Sequence, residues 1–179
     1  VSPEYQTIVL NAAQLGETLD NLADQIVERH GDTDALALVG IRTGGAHLAF
    51  RLRELIGQRT GRPPDTGVVD ITLYRDDWTR INSKPVVGPT DIAFPLDDKK
   101  VVLVDDVLFT GRTVRAALDQ IIDFGRPRWV ELCVLVDRGH RELPIAPDYV
   151  GLTLNTDYPQ QVEVFLEEEG QVDRVVLLR

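Results

Sequence analysis

Methionine is missing from this 179-residue chain, cysteine occurs once, and aromatic residues make up only 6% of it. A single cysteine can form no internal disulfide, which removes the stapled secreted frameworks from consideration. Cys133 lies in the apolar run Val130 to Val136. The expectation is a small buried core residue rather than a reactive thiol, since no histidine neighbours it in sequence. No apolar run approaches the length of a membrane span. The N-terminus carries neither a charged-then-apolar signal pattern nor an Arg-rich amphipathic one, so a cytoplasmic protein without membrane contact is expected. Position 1 is valine, so the initiator is expected to lie outside this numbering. Positive charge is also scarce. Nineteen Lys and Arg stand against 29 Asp and Glu, for a net charge of -10 and a pI near 4.7, which argues against a global attraction to nucleic acid. Arg126, Arg128, Arg138 and Arg141 fall close together, and arginines so placed more often serve a small ligand or the solvent.

What remains is an ordinary globular composition, 43% hydrophobic and 27% charged, long enough for one domain with a sizeable core. No internal repeat, low-complexity block or linker interrupts residues 1–179. The most informative stretch is Val101-Val102-Leu103-Val104-Asp105-Asp106-Val107-Leu108-Phe109-Thr110-Gly111-Arg112-Thr113. An apolar strand ends in two adjacent carboxylates, then a hydroxyl-bearing turn opens a helix. Such acids can accept hydrogen bonds from vicinal ribose hydroxyls, while N–H groups and threonine hydroxyls of the turn face a phosphate at a helix N-terminus. A core strand whose acids merely cap a helix is the bland alternative. Neither Gly-x-x-x-x-Gly-Lys-Ser/Thr nor Gly-x-Gly-x-x-Gly is present.

The rest of the chain alternates strands with helices. Leu15, Leu19, Leu22 and Ile26 recur at helical spacing up to His30-Gly31. Ala35 to Ile41 reads as a strand, and Leu48, Leu52, Leu55 and Ile56 as the next helical face. Gly57 to Gly67 reads as a loop and Val68 to Leu73 as a strand. Tyr74 to Pro95 shows no period and contains four prolines or glycines that break structure, so a functional lid or hood is expected there. Val114, Ala117, Leu118, Ile121 and Ile122 form a third helical stripe, and Trp129 to Val136 a further buried strand. Val162, Val164 and Leu166 alternate before a turn at Glu167 to Gly170, from which Val172 to Leu178 can return as a partner. The expected fold class is α/β, a mostly parallel sheet flanked by helices, with ligands at the carboxyl ends of the strands.

Three loops then share one edge: Arg42-Thr43-Gly44-Gly45, Asp105 to Thr113, and Asp137 to Arg141. Glycines 44 and 45 let backbone N–H groups approach an anion such as pyrophosphate, although alone they would read equally well as a plain turn. Arg75 could add charge-assisted hydrogen bonds when the long loop closes.

The Val101–Thr113 stretch resembles the phosphoribosyl pyrophosphate motif of the type I phosphoribosyltransferases. Together with Asp70-Ile71-Thr72-Leu73-Tyr74-Arg75-Asp76-Asp77 and Val134-Leu135-Val136-Asp137-Arg138-Gly139-His140-Arg141-Glu142-Leu143-Pro144, it is similar over nearly the whole chain to the PyrR family of bifunctional pyrimidine operon regulators and uracil phosphoribosyltransferases. That resemblance implies a type I phosphoribosyltransferase-like core with a flexible hood at 74–95. It implies transfer of the phosphoribosyl group of phosphoribosyl pyrophosphate to uracil, giving UMP and pyrophosphate, with Mg²⁺ accompanying the substrate and no dedicated protein cage for the metal. It further implies that Asp105 and Asp106 hold the ribose as the catalytic pair, and that Thr110 to Thr113 hold the monophosphate within a binding stretch running from Val101. Arg42, Thr43, Gly44, Gly45 and Arg75 would meet pyrophosphate, and Val136, Asp137 and Arg138 would border the base. Asp106 is one candidate general base. In some members nucleotides control binding to pyrimidine operon messenger RNA, so a UMP- or UTP-sensing RNA-binding attenuator is the alternative reading. A homo-oligomer is expected, and a purine phosphoribosyltransferase is disfavoured by the Asp137 to Pro144 block.

Two departures stand out. Many relatives carry arginine where Gly44 stands. The RNA-binding members have a basic surface partly on the first helix and on the segment after the Leu-Pro turn, whereas here the first helix offers Glu17, Asp20 and Asp24 and residues 146–159 contain Asp148 and Asp157 but no Lys or Arg. Arg141 remains, so RNA contact is expected to be weak.

Overall fold

The computed structural model describes residues 6–72 and 90–178. A strand β1 (Gln6–Leu10) leads into helix α1 (Ala12–His30). Asn11 begins the helix with a reciprocal cap: its side chain accepts from the Gln14 N–H and the Gln14 side chain accepts from the Asn11 N–H, both at 3.0 Å. The apolar stripe Leu15, Leu19, Leu22 and Ile26 is buried, and Gly31, at φ 73°, ends the helix with its N–H donating to the Val27 carbonyl.

The order continues as β2 (Leu36–Ile41), α2 (Gly44–Thr60), β3 (Asp65–Val69), β4 (Lys100–Leu108), α3 (Arg112–Phe124), β5 (Trp129–Asp137), β6 (Tyr149–Thr153), β7 (Gln161–Phe165), a short 3₁₀ turn at Glu167–Glu169, and β8 (Arg174–Leu178). Five strands form a sheet in the order β3-β2-β4-β5-β6, and every pairing in it is parallel. The expected α/β class is therefore the observed one.

Burial on both faces explains why these strands read as unbroken apolar runs rather than alternating ones. Leu36 and Leu38, Val102 and Val104, and Cys133 and Leu135 point to the side covered by α1 and α2. Ala37 and Val39, Val101 and Leu103, and Leu132 and Val134 point to the side where α3 packs Val114, Ala117 and Ile121. Cys133 is buried as expected, and burial pushes its thiol up to about 12.

β1, β8 and β7 form a separate antiparallel sheet, in which the β7–turn–β8 hairpin matches the expected return at Glu167 to Gly170. Leu10, Leu166 and Val175 carry its inner face into the α1/α2 core. Arg51 of α2 ties the two parts together, bonding Glu168 through Nε at 2.7 Å and Asp173 through Nη1 at 2.5 Å.

One strand differs from the sequence reading. The expected loop 57–67 and strand 68–73 are replaced by a longer α2 and by β3 over Asp65–Val69. Parallel pairing of Ala37 with Asp65 through Ile41 with Val69 supplies the backbone partners, so Asp65 and Gly67 join the edge strand despite their low β-propensity. Gly67 is required there because a Cβ would stand 2.9 Å from the Asp91 carbonyl oxygen, where residue 91 bridges Val68. Of the expected hood, residues 90–95 lie along this edge, while 73–89 fall outside the described residues.

Candidate active site

The C-terminal tips of β2, β3 and β4 open into one cavity of about 540 Å³, lined by Ile41, Arg42, Thr43, Gly44, Asp70, Ile71, Thr72, Asp105, Asp106, Val107 and Thr113. Two helices start at this edge, and neither Thr43 at the start of α2 nor Gly111 at the start of α3 supplies a side-chain cap. The Ala46 N–H is met by the Thr43 carbonyl at 3.1 Å and the Arg112 N–H by the Thr110 hydroxyl at 3.4 Å, and the positive ends of both helices favour an anion at this edge. Gly111 has φ 91°, a backbone state that glycine adopts without steric cost.

Close approach of α2 to the sheet depends on small residues. A Cβ on Gly45 would stand 2.3 Å from the Val104 carbonyl oxygen, and one on Gly40 would stand 2.5 Å from Ala46 Cα. Gly45 therefore packs the helix start against β4 rather than lining the cavity. Gly44 does line it, and a Cβ there would fall against the Asp106 carboxylate. The peptide between Arg42 and Thr43 is cis.

The two acids differ. Asp105 is buried, and its carboxylate accepts from the Asp106 N–H at 3.0 Å. Burial, and next the neighbouring Asp106 charge, holds its carboxyl well above the usual range. Asp106 is half-exposed at the cavity wall and accepts from the Val107 N–H at 2.8 Å. A solvent-facing carboxylate is thus backed by a buried acid at the cavity floor. Asp70 adds a third carboxyl, which accepts from the Thr72 N–H at 2.9 Å and from the Thr72 hydroxyl.

Arg42, Thr43, Gly44, Asp105, Asp106, Val107 and Thr113 are thus brought together as the sequence suggested. Other parts of the expected stretch are not at the cavity. Val101, Val102, Leu103, Val104 and Leu108 are almost wholly buried, so they hold the tip of β4 without reaching a ligand. The Phe109, Thr110, Gly111 and Arg112 turn is held from the other side. Arg112 Nε pairs with Glu142 at 2.6 Å, and the Thr110 carbonyl accepts from the Glu142 N–H at 2.9 Å. Arg75 lies outside the described residues.

Val136, Asp137 and Arg138 stand one strand away. Val136 pairs with Val107 across β4 and β5 and is fully buried. Arg138 is 5% exposed, and its guanidinium spans Thr156, Asp157 and Tyr158 while lying 4.0 Å from the centroid of the Phe109 ring. Burial lowers its pKa from the ordinary arginine value. Arg141 is likewise turned inward, donating to the carbonyls of Phe109 at 2.7 Å and Ile145 at 3.0 Å and to the Asp137 carboxylate at 2.5 Å. Its guanidinium organises the loop, which leaves it poorly placed for RNA phosphates.

Two groupings were not foreseen in the sequence reading, although Phe109 stood within the expected binding stretch. Asp70, Ile71 and Thr72 line the cavity; their position just after a strand ending in Val69 was the available signal. Phe109, His140 and Tyr158 form a three-ring cluster with centroids 5.4 to 5.9 Å apart, and no local pattern foretells it because Tyr158 comes from beyond β6.

A cavity where an acid pair meets two uncapped helix starts, at the open edge of a parallel sheet, defines a sugar-phosphate-handling α/β enzyme. The phosphoribosyl transferase domain family matches residues 6–169, so the chain is a phosphoribosyltransferase by class. Over 170 residues it is 54% identical to the Bifunctional protein PyrR of Syntrophobacter fumaroxidans, covering 95% of this chain and 91% of that one. It is also 54% identical over 175 residues to the Bifunctional protein PyrR of Desulfosudis oleivorans, covering 97% of each. The chain belongs to the PyrR family of phosphoribosyltransferases. Among solved structures, a hypoxanthine phosphoribosyl transferase of Trypanosoma cruzi superposes with a TM-score of 0.75 over 100% of this chain and 94% of that one, at 16% identity. That likeness shows a shared fold. No helix among the described residues is long and apolar enough to cross a membrane.

Proposed function

We propose that this phosphoribosyltransferase uses uracil as its base, converting uracil and phosphoribosyl pyrophosphate to UMP and pyrophosphate. The carrying observation is the Asp105–Asp106 pair at the floor of a cavity that also holds Arg42, Gly44 and Thr113. Asp106 and Asp105 hold the ribose hydroxyls. Thr113 and the uncapped start of α3 take the 5′-phosphate, and Arg42 with the start of α2 takes the pyrophosphate. Arg75 is assigned by the same proposal to the pyrophosphate. The backbone at Val136 to Arg138 and the neighbouring Phe109, His140 and Tyr158 rings border the base, whose carbonyl and ring N–H edge matches fixed backbone donors and acceptors.

The reaction displaces pyrophosphate from the anomeric carbon by a uracil nitrogen. Positive charge grows on the ribose ring as the leaving group departs, so carboxylates fixed beneath the ring favour the transition state over the ground state. Among the described residues no cluster of three or more His, Cys, Asp or Glu could hold a metal. The cavity does present the oxygen donors of Asp70 and Asp106, which suit a hard cation that keeps most of its ligands as water and substrate oxygens. Mg²⁺ arriving with the substrate would neutralise the pyrophosphate charge. The test is a turnover comparison among uracil, hypoxanthine and guanine with phosphoribosyl pyrophosphate and Mg²⁺. Uracil should be turned over fastest, and a faster purine would refute the base assignment.

The PyrR relatives are called bifunctional, so a second role in nucleotide-sensing RNA binding belongs to the same reading. With acids on the first helix and Arg141 bonded inward, we expect that binding to be weak.

A further inference from the structure

A second cavity, of about 460 Å³, opens at the opposite end of the sheet and is lined by Arg29, His30, Lys100, Trp129, Val130 and Glu131. Lys100 and Trp129 begin β4 and β5, whereas the acid pair lies at the far end of β4. Five residue steps along β4 carry the chain from Lys100 to Asp105, roughly 16 Å at the usual rise, so the two sites can be filled at once.

The wall carboxylate is already satisfied. Glu131 accepts from Tyr149 at 2.7 Å, faces His30 Nε2 at 2.8 Å, and pairs with Arg29 Nε at 3.1 Å. Tyr149, His30 and Glu131 are buried together, and Arg29 also reaches Asp148 at 3.6 Å. Two cations beside Trp129, Lys100 in the cavity lining and Arg128 next to it in sequence, are not so matched. Lys100 Nζ lies 5.5 Å and the Arg128 guanidinium 5.1 Å from the Trp129 ring centroid, and among the described residues neither has a carboxylate partner. In a chain with ten more acids than bases, two cations left on an indole that is 38% exposed are an unusual pairing.

We propose that this cavity binds a nucleoside monophosphate. Lys100 and Arg128 are free to turn from the indole to a phosphate, exchanging cation–π contacts for stronger charge-assisted hydrogen bonds. The indole, once released from the cations, then stacks a nucleobase beside Val130. The cavity lies within the size range of small-molecule sites. The neutralised Glu131 wall repels the phosphate less than a bare carboxylate would.

Trp129 reports on its own site. In a Trp78→Phe background, which removes the chain's other tryptophan, UMP and AMP are titrated against protein saturated with phosphoribosyl pyrophosphate and Mg²⁺, so the strand C-terminal cavity is blocked. Calorimetry on the unaltered protein under the same saturation controls for the background substitution. The expected result is saturable quenching that weakens by roughly tenfold or more in Lys100→Gln/Arg128→Gln, as loss of charge-assisted contacts entails, while turnover stays unchanged. Absence of saturable binding by both readouts overturns the proposal, as does equal affinity in the double variant. Inorganic phosphate binding as tightly as the nucleotides would reduce the site to a simple anion pocket and also overturn it.

Discussion

Replacing Asp105 or Asp106 by Asn separates stability from catalysis at the same pair. Each Asn keeps the side-chain oxygen that accepts from the following N–H, at 3.0 Å for Asp105 and 2.8 Å for Asp106, so the tip of β4 should hold its shape. What Asp106→Asn loses is charge, whereas Asp105→Asn loses charge only above the raised range in which its buried carboxyl ionises. One unit charge at about 4 Å from a developing ring cation is worth about 4 kcal/mol at an effective dielectric of about 20. Loss of a single preorganised electrostatic contact usually costs about 10² to 10³ in turnover, and the two scales agree. Stability should move the other way for Asp105→Asn. Its carboxyl is held above the ordinary value by burial and by Asp106. Between the ordinary and the raised value the native state therefore keeps a proton that the unfolded chain releases, and stability falls as pH rises through that window. Asn has no proton to lose, so the variant should be at least as stable as the parent above that window and should lack this part of its pH dependence. UMP formation and thermal unfolding, followed as pH rises from the ordinary carboxylate range, are the paired assays. Folded variants with parental turnover would remove the pair from the mechanism, and an Asp105→Asn protein less stable than the parent at high pH would refute the electrostatic account.

Gly45→Ala should destabilise by about 1–3 kcal/mol, the usual cost of overpacking, because its Cβ would meet the Val104 carbonyl oxygen at 2.3 Å; chemical denaturation measures it, and a neutral result would show that α2 can shift from β4. Arg51→Met should lower stability by about 1–3 kcal/mol, a partly exposed pair being worth less than a buried one. Arg51 holds Glu168 and Asp173 below the usual carboxylate range, so this contribution is present above the unfolded values and fades as pH falls through the depressed native ones. A parent protein whose acid unfolding matched that of Arg51→Met would contradict this. Phosphoribosyl pyrophosphate with Mg²⁺ should protect the 74–95 segment from proteolysis if it closes over substrate, and unchanged cleavage would speak against a hood. Titration with a pyrimidine operon leader at physiological salt should give binding much weaker than the roughly 10⁻⁸ M of specific complexes, and tight binding strengthened by uridine nucleotides would overturn the enzyme-first reading.

By itself the sequence determined the α/β class, the three helices, the buried runs of β2, β4 and β5, and the Asp105–Asp106 tip. Each of these is a local pattern: a stripe at helical spacing, an apolar run too short for anything but a buried strand, or two acids where such a run ends. The β3 strand was misplaced because Asp65 to Gly67 have no strand-like pattern of their own and are extended only by pairing with β2. β1 at the N-terminus was not foreseen, since its partner β8 lies at the other end of the chain. Tertiary structure also decided which residues of the binding stretch face a ligand. Val101 to Val104 look continuous with Asp105 in sequence, yet the pleat sends them alternately into two cores and leaves only the tip exposed. Arg138 and Arg141 read as available cations, but the fold surrounds each with carbonyl and side-chain oxygens from residues up to 32 positions away. A charged residue's availability depends on what the chain folds against it, and that is a property of long-range contacts rather than of local spacing.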